Sequence, residues 1–87
     1  MLDQEYGAVL SRLKGVFEQI FRQSKVAFRE DLTAASVPGW DSLTHVKFIL
    51  AVERAFGVRF TMSEIGSFEN LGQLARAVHR KTGAARV

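Results

Sequence analysis

Few residues of this chain could do chemistry. Asp41 and Ser42 stand side by side where an amphipathic pattern begins, Asp41 as a helix cap and Ser42 as a hydroxyl in the first turn. Two readings of Ser42 stand open on this ground alone. It is a second capping hydroxyl, or it is a hydroxyl placed for modification. A phosphate ester on it would lie at the positive end of a helix dipole, beside unsatisfied backbone N–H groups. The two histidines, His45 and His79, have no nucleophile or carboxylate at a suggestive spacing, so no catalytic residue is assigned. His45 falls near an apolar face, as a packed, hydrogen-bonded side chain. His79 lies near a helix end, where a cation is favourable. The absence of Cys removes a disulfide framework and a thiolate metal site, and two histidines alone build no zinc centre. No metal site is expected.

The elements that position Ser42 are helices. The chain has 87 residues, 47% of them hydrophobic, which suits one domain over 1–87 with a core over about 4–82 and a frayed tail at 83–87. A chain of this length buries about 60–65% of its unfolded surface. That is enough for one core, but hardly for a deep pocket with a full catalytic set. Tyr6, Val9, Leu13, Phe17 and Ile20 recur at helical spacing and predict a first helix over 4–23. A long loop over 24–41 follows, pinned by Val26, Phe28, Leu32 and Val37 and turned at Pro38-Gly39. The second helix spans 42–56, with Trp40 packing back onto its first turns and Gly57 ending it. Thr61 and Glu64 form a capping box, with Phe60 and Ile65 at staple spacing, before a short third helix that Gly66 stops. The fourth helix runs over about 70–82, with Asn70 and Gln73 as a cap pair and Gly83 as its end. No convincing strand is present. The fold class is all-α, with three main helices and one short one.

The second helix carries two apolar stripes. Phe48, Ile49, Val52, Ala55 and Phe56 share one face, wide enough for a core. Leu43, Val46 and Leu50 share the roughly opposite face, flanked by Lys47 and Arg54. Either the long loop covers this second stripe, or it is a ridge on which a partner docks.

Charge and hydropathy exclude other classes. Net charge is +3, concentrated toward the C-terminal stretch, without the dense basic stripe and interleaved aromatics of a nucleic-acid binder. No apolar run approaches the length of a membrane span. The acidic start Met1-Leu2-Asp3-Gln4-Glu5 is unlike a signal peptide. A cytoplasmic, free-standing protein is expected.

Taken together, these pieces resemble the acyl carrier protein family. Gly39-Trp40-Asp41-Ser42-Leu43 is similar to that family's phosphopantetheine attachment motif, in which an Asp-Ser-Leu triplet opens the second of four helices. The run DSLTHVKFILAVERAFGVRF over 41–60 resembles the family's second helix and following turn. The resemblance spans about residues 4–82 and is strongest over 37–60. It implies a four-helix acyl-carrier-like bundle with a long loop between helices 1 and 2. A phosphopantetheinyl transferase would move 4′-phosphopantetheine from coenzyme A onto Ser42, with Asp41 orienting the reaction. The arm's thiol would carry an acyl group as a thioester, and the protein itself would catalyse nothing. Acyl-loading and acyl-transferring enzymes of a fatty-acid, polyketide or related pathway would dock on Leu43, Val46 and Leu50, with Lys47 and Arg54 at the rim. Phe48, Ile49, Val52, Phe56 and Ile65 are candidates for lining an acyl cavity, against plain core packing. A monomer is the default for a carrier that visits several enzymes.

The chain departs from the family in charge. Typical carriers present carboxylates on the second helix to basic partners, whereas this helix shows Thr44, Lys47 and Arg54 with only Asp41 and Glu53 as acids. Dedicated partner enzymes are therefore expected. Pro38-Gly39-Trp40 replaces the glycine pair usual in peptidyl carriers. The alternative reading, from a different class, is an unmodified helical interaction module using the Leu43/Val46/Leu50 ridge.

Overall fold

The apolar spacing of the first helix is realised in α1 (Gln4–Ile20). Its inward residues Val9, Leu13, Val16 and Phe17 are buried, and Glu5, Ser11, Arg12, Lys14, Glu18 and Gln19 are exposed. The computed structural model describes residues 4–22 and 24–84. The remaining helices are α2 (Ser42–Phe56), α3 (Met62–Ser67) and α4 (Leu71–Ala84). α1 packs against both α2 and α4, and no strand occurs among the described residues. The all-helical, carrier-like expectation is therefore met. No helix among the described residues is long and apolar enough to cross a membrane.

Three helix ends differ from expectation. α1 stops at Ile20, not 23: the Phe21 carbonyl accepts both the Ser24 N–H at 2.9 Å and the Ser24 hydroxyl at 2.8 Å, which turns the chain. Residue 23 lies outside the described residues. α3 passes through Gly66 to Ser67, and α4 continues through Gly83 to Ala84. Glycine ends a helix where the chain needs a left-handed residue. Gly57 does so at φ 66°, whereas Gly66 has no positive φ. Residues 85–87 of the expected frayed tail lie outside the described residues.

The core is one cluster shared by all the helices and the loop. Phe17, Leu13, Phe48, Val52 and Val78 are essentially inaccessible to solvent. Phe17 sits at the centre of an aromatic group, 5.1 Å from Phe21, 5.7 Å from Phe28 and 6.2 Å from Phe48 between ring centroids. Offset and edge-on pairs of this kind add to the burial of large rings.

The long loop is held from both ends. Leu32 and Val37 are buried, and Val26 and Phe28 pack partly against the core. A short 3-10 turn at Ala34–Ser36 interrupts it. The loop also caps α4. The Leu71 N–H donates to the Leu32 carbonyl at 3.0 Å, and the Gly72 N–H to the Glu30 carbonyl at 2.7 Å. Two N–H groups that a helix start leaves without partners are thereby satisfied from forty residues away. Asn70 Oδ1 accepts the Gln73 N–H at 2.8 Å, as its cap position predicts, while Gln73 Oε1 accepts from the Glu69 N–H at 2.9 Å. A Cβ at Gly72 would lie 3.1 Å from the Glu30 carbonyl oxygen, so glycine there permits the close approach.

Candidate functional site

The site is built around the start of α2. Asp41 is extended, at φ −100° and ψ −176°, and caps the helix. Its Oδ1 accepts the Thr44 N–H at 2.8 Å, and its carbonyl accepts the His45 N–H at 2.9 Å. The Thr44 backbone N–H holds the Asp41 carboxyl below the ordinary carboxylate range, with the Lys47 charge contributing further. With the cap supplied by Asp41, the Ser42 hydroxyl is not needed for it. Ser42 is exposed at the first position of α2. Its Oγ has no hydrogen-bond partner among the described residues, so it is a free hydroxyl beside a positive helix terminus.

Trp40 and His45 fix this turn. The Trp40 ring lies 4.8 Å from Phe21 and 5.5 Å from Phe48 between centroids. Its indole Nε1–H donates to His45 Nδ1 at 3.0 Å. His45 Nδ1 is therefore an acceptor, which assigns the proton to Nε2. That nitrogen donates to the Ile65 carbonyl at 2.9 Å. One imidazole thus joins the loop, α2 and α3, as the packed, hydrogen-bonded reading of His45 expects. Beside Ser42 lies an open hollow lined by Ala34, Trp40, His45, Val46, Ile65 and Phe68.

The five cavity candidates are dispersed. Phe48, Ile49 and Val52 are close-packed in the core at 0–1% exposure. Phe56 lines a separate groove with Val9 and Arg12 between α1 and the end of α2. Of the five, Ile65 is the one that lines the hollow at Ser42.

The second stripe of α2 is uncovered. Leu43, Val46 and Leu50 are 66%, 49% and 52% exposed, and the loop does not lie over them. Lys47 and Arg54 are exposed on the same side. Met62 is 85% exposed at the start of α3, which the sequence reading missed. A helix of six residues has too few turns for periodicity to assign its faces. Glu53 was also misread as a surface acid. It is half-buried, and its Oε2 accepts the Phe60 N–H at 2.8 Å, tying the end of α2 to the chain that leads to α3. Nothing local to Glu53 announces a bond seven residues away. The Thr61–Glu64 capping box is formed as its spacing predicts, at 3.1 and 2.8 Å. The Thr61 N–H and then Lys81, at 3.1 Å, keep the Glu64 carboxyl below its ordinary range.

These features have a family counterpart. A family model, the phosphopantetheine attachment site, matches residues 38–78, from the Pro38-Gly39 turn through most of α4. No curated protein and no solved structure matches the chain.

Proposed function

We propose that this protein is an acyl carrier loaded at Ser42 with 4′-phosphopantetheine, a reading supported by the match of residues 38–78 to the phosphopantetheine attachment site model. The observation that supports the assignment is the exposed Ser42 hydroxyl, free of hydrogen-bond partners at the first turn of α2 while Asp41 does the capping. The residues fit the group. The hydroxyl is open to an approaching enzyme. The N–H groups of Ser42 and Leu43 have no intramolecular acceptor among the described residues, so the helix start has donors to offer a phosphodiester on Oγ. The Asp41 carboxyl next to it is held below its ordinary range by the Thr44 N–H.

Loading would form one bond from Ser42 Oγ to phosphorus and break one P–O bond of the coenzyme A pyrophosphate. The nucleotide portion leaves, and the serine proton passes to the transferase. The bound arm supplies a terminal thiol that holds an acyl group as a thioester. The chain's own work is to present Ser42 on a rigid turn and offer the Leu43/Val46/Leu50 ridge to the transferase and to the acyl-loading and acyl-transferring enzymes. It acts as a carrier and not as a catalyst, in fatty-acid, polyketide or related synthesis, and is placed in the cytoplasm.

The test is an intact mass after incubation with coenzyme A and a broad-specificity phosphopantetheinyl transferase. Wild type should gain one phosphopantetheine and Ser42→Ala none, with both equally helical. A folded wild type that stays unmodified beside an active control carrier would sink the proposal. It would favour an unmodified module that binds partners through the ridge.

A further inference from the structure

We infer that the ridge of α2 is matched to partners with an acidic docking rim, and that the acidic pole they need lies opposite Arg54 and Arg59, remote from Ser42. The inference rests on the carrier reading and specifies the partner for it. Three observations carry it. The ridge residues Leu43, Val46 and Leu50 are half or more exposed, so its centre is apolar. A hollow continuous with the ridge is lined by Leu50, Arg54, Gly57, Val58 and Arg59 together with one acid, Glu53. Glu53 is half-buried and turned to the Phe60 N–H, whereas Arg54 and Arg59 are exposed with no ion pair among the described residues. Of the other acids, Glu64 is half-buried and bonded to the Thr61 N–H and Lys81, and Asp41 caps the opposite, Ser42 end of α2, where it stays exposed. The exposed cations Arg54 and Arg59 are thus left facing outward at the far end of α2.

The charge is also polarised along the helix. The exposed acid Asp41 stands beside Ser42 at one end, while Arg54 lies about 18 Å from Ser42 along the axis. A partner that places its active site at Ser42 must therefore set carboxylates about that far from its arm entrance. An anionic membrane is the other surface such a patch could meet. Anionic lipid is read by clusters of roughly four to eight basic residues, and Lys47, Arg54 and Arg59 are fewer and spread along the helix.

The experiment measures binding of the unmodified full chain by calorimetry. The probes are a phosphopantetheinyl transferase with a basic carrier-facing rim, the same enzyme with those rim Lys and Arg changed to Glu, and vesicles of phosphatidylcholine with phosphatidylserine. The acid-rimmed enzyme should bind about tenfold tighter than its parent at low salt, and the gap should close as salt is raised. Arg54→Glu/Arg59→Glu should reverse the preference, and Lys47→Glu should change it less. Tighter binding of the basic rim, equal binding or none, a preference the double variant leaves intact, or stronger retention on the vesicles would each overturn the inference. Arg54→Gln/Arg59→Gln replaces the double variant if charge reversal disturbs helicity. Failure of Ser42 to load, read separately by mass, counts against the carrier reading and not against this charge preference.

Discussion

The two faces of α2 carry nearly the same side chains and meet opposite fates. Phe48, Ile49 and Val52 are 0–1% exposed, whereas Leu43, Val46 and Leu50 are 49–66% exposed. The inner face meets α1 and the aromatic group around Phe17. The outer face stays half or more exposed among the described residues, because the long loop is drawn away from it to the start of α4, where its carbonyls cap that helix. Residue type alone does not decide burial in so small a domain; the route of the loop does. The inner face holds the bundle together, and the outer face remains available beside a free serine.

Mutation should separate the faces most sharply in stability. Phe48→Ala removes a fully buried ring and is expected to cost about 3–5 kcal/mol, while Leu50→Ala should cost about 0.5 kcal/mol or less. Paired thermal melts check this, and equal losses would erase the distinction between the faces. The loop's route can be attacked next. Gly72→Val places branched carbon against the Glu30 carbonyl, already 3.1 Å from a Cβ there, and should cost roughly 1–3 kcal/mol. If Leu43 and Val46 become more protected as the loop shifts, their methyl chemical shifts will report it. A melt unchanged from wild type would mean that the loop does not depend on this close approach.

The smallest expected effect is in acid. The Asp41 and Glu64 carboxyls sit below their ordinary ranges in the fold. Their contribution is complete above the unfolded carboxylate pKa and is lost as pH falls through the lower folded values. Melting temperature should therefore decline below about pH 4. Asp41→Asn with Glu64→Gln, which keeps both caps without a titrating group, should show a shallower decline. An unchanged slope would place the acid sensitivity elsewhere.

Much of this was legible in the residues. α2 begins and ends where Asp41 and Gly57 place it, because both act on their nearest neighbours. The Thr61–Glu64 box and the Asn70 cap are likewise local. The inner and outer stripes of α2 follow from a 3.6-residue period, whereas the place of Ser42 after the cap left open whether its hydroxyl caps the helix or stays free. What was not legible depends on distant partners. The bonds from α4 to Glu30 and Leu32, from Glu53 to Phe60 and from His45 to Ile65 span 7 to 42 residues. Gly66 and Gly83 misled for another reason: glycine permits a helix to end but does not require it.

Trp40 is the chain's single tryptophan. Its ring forms part of the wall of the hollow beside Ser42, and its N–H is held by an imidazole. The consequence is optical. Excited at the red edge of its absorption, the whole protein emits from one fluorophore two positions before the serine. Its colour follows how wet that hollow is, and its intensity follows the state of the neighbouring ring. Under the proposed carrier role, arrival of an arm, of cargo or of a docking enzyme at this turn would be visible in the native chain, without a label.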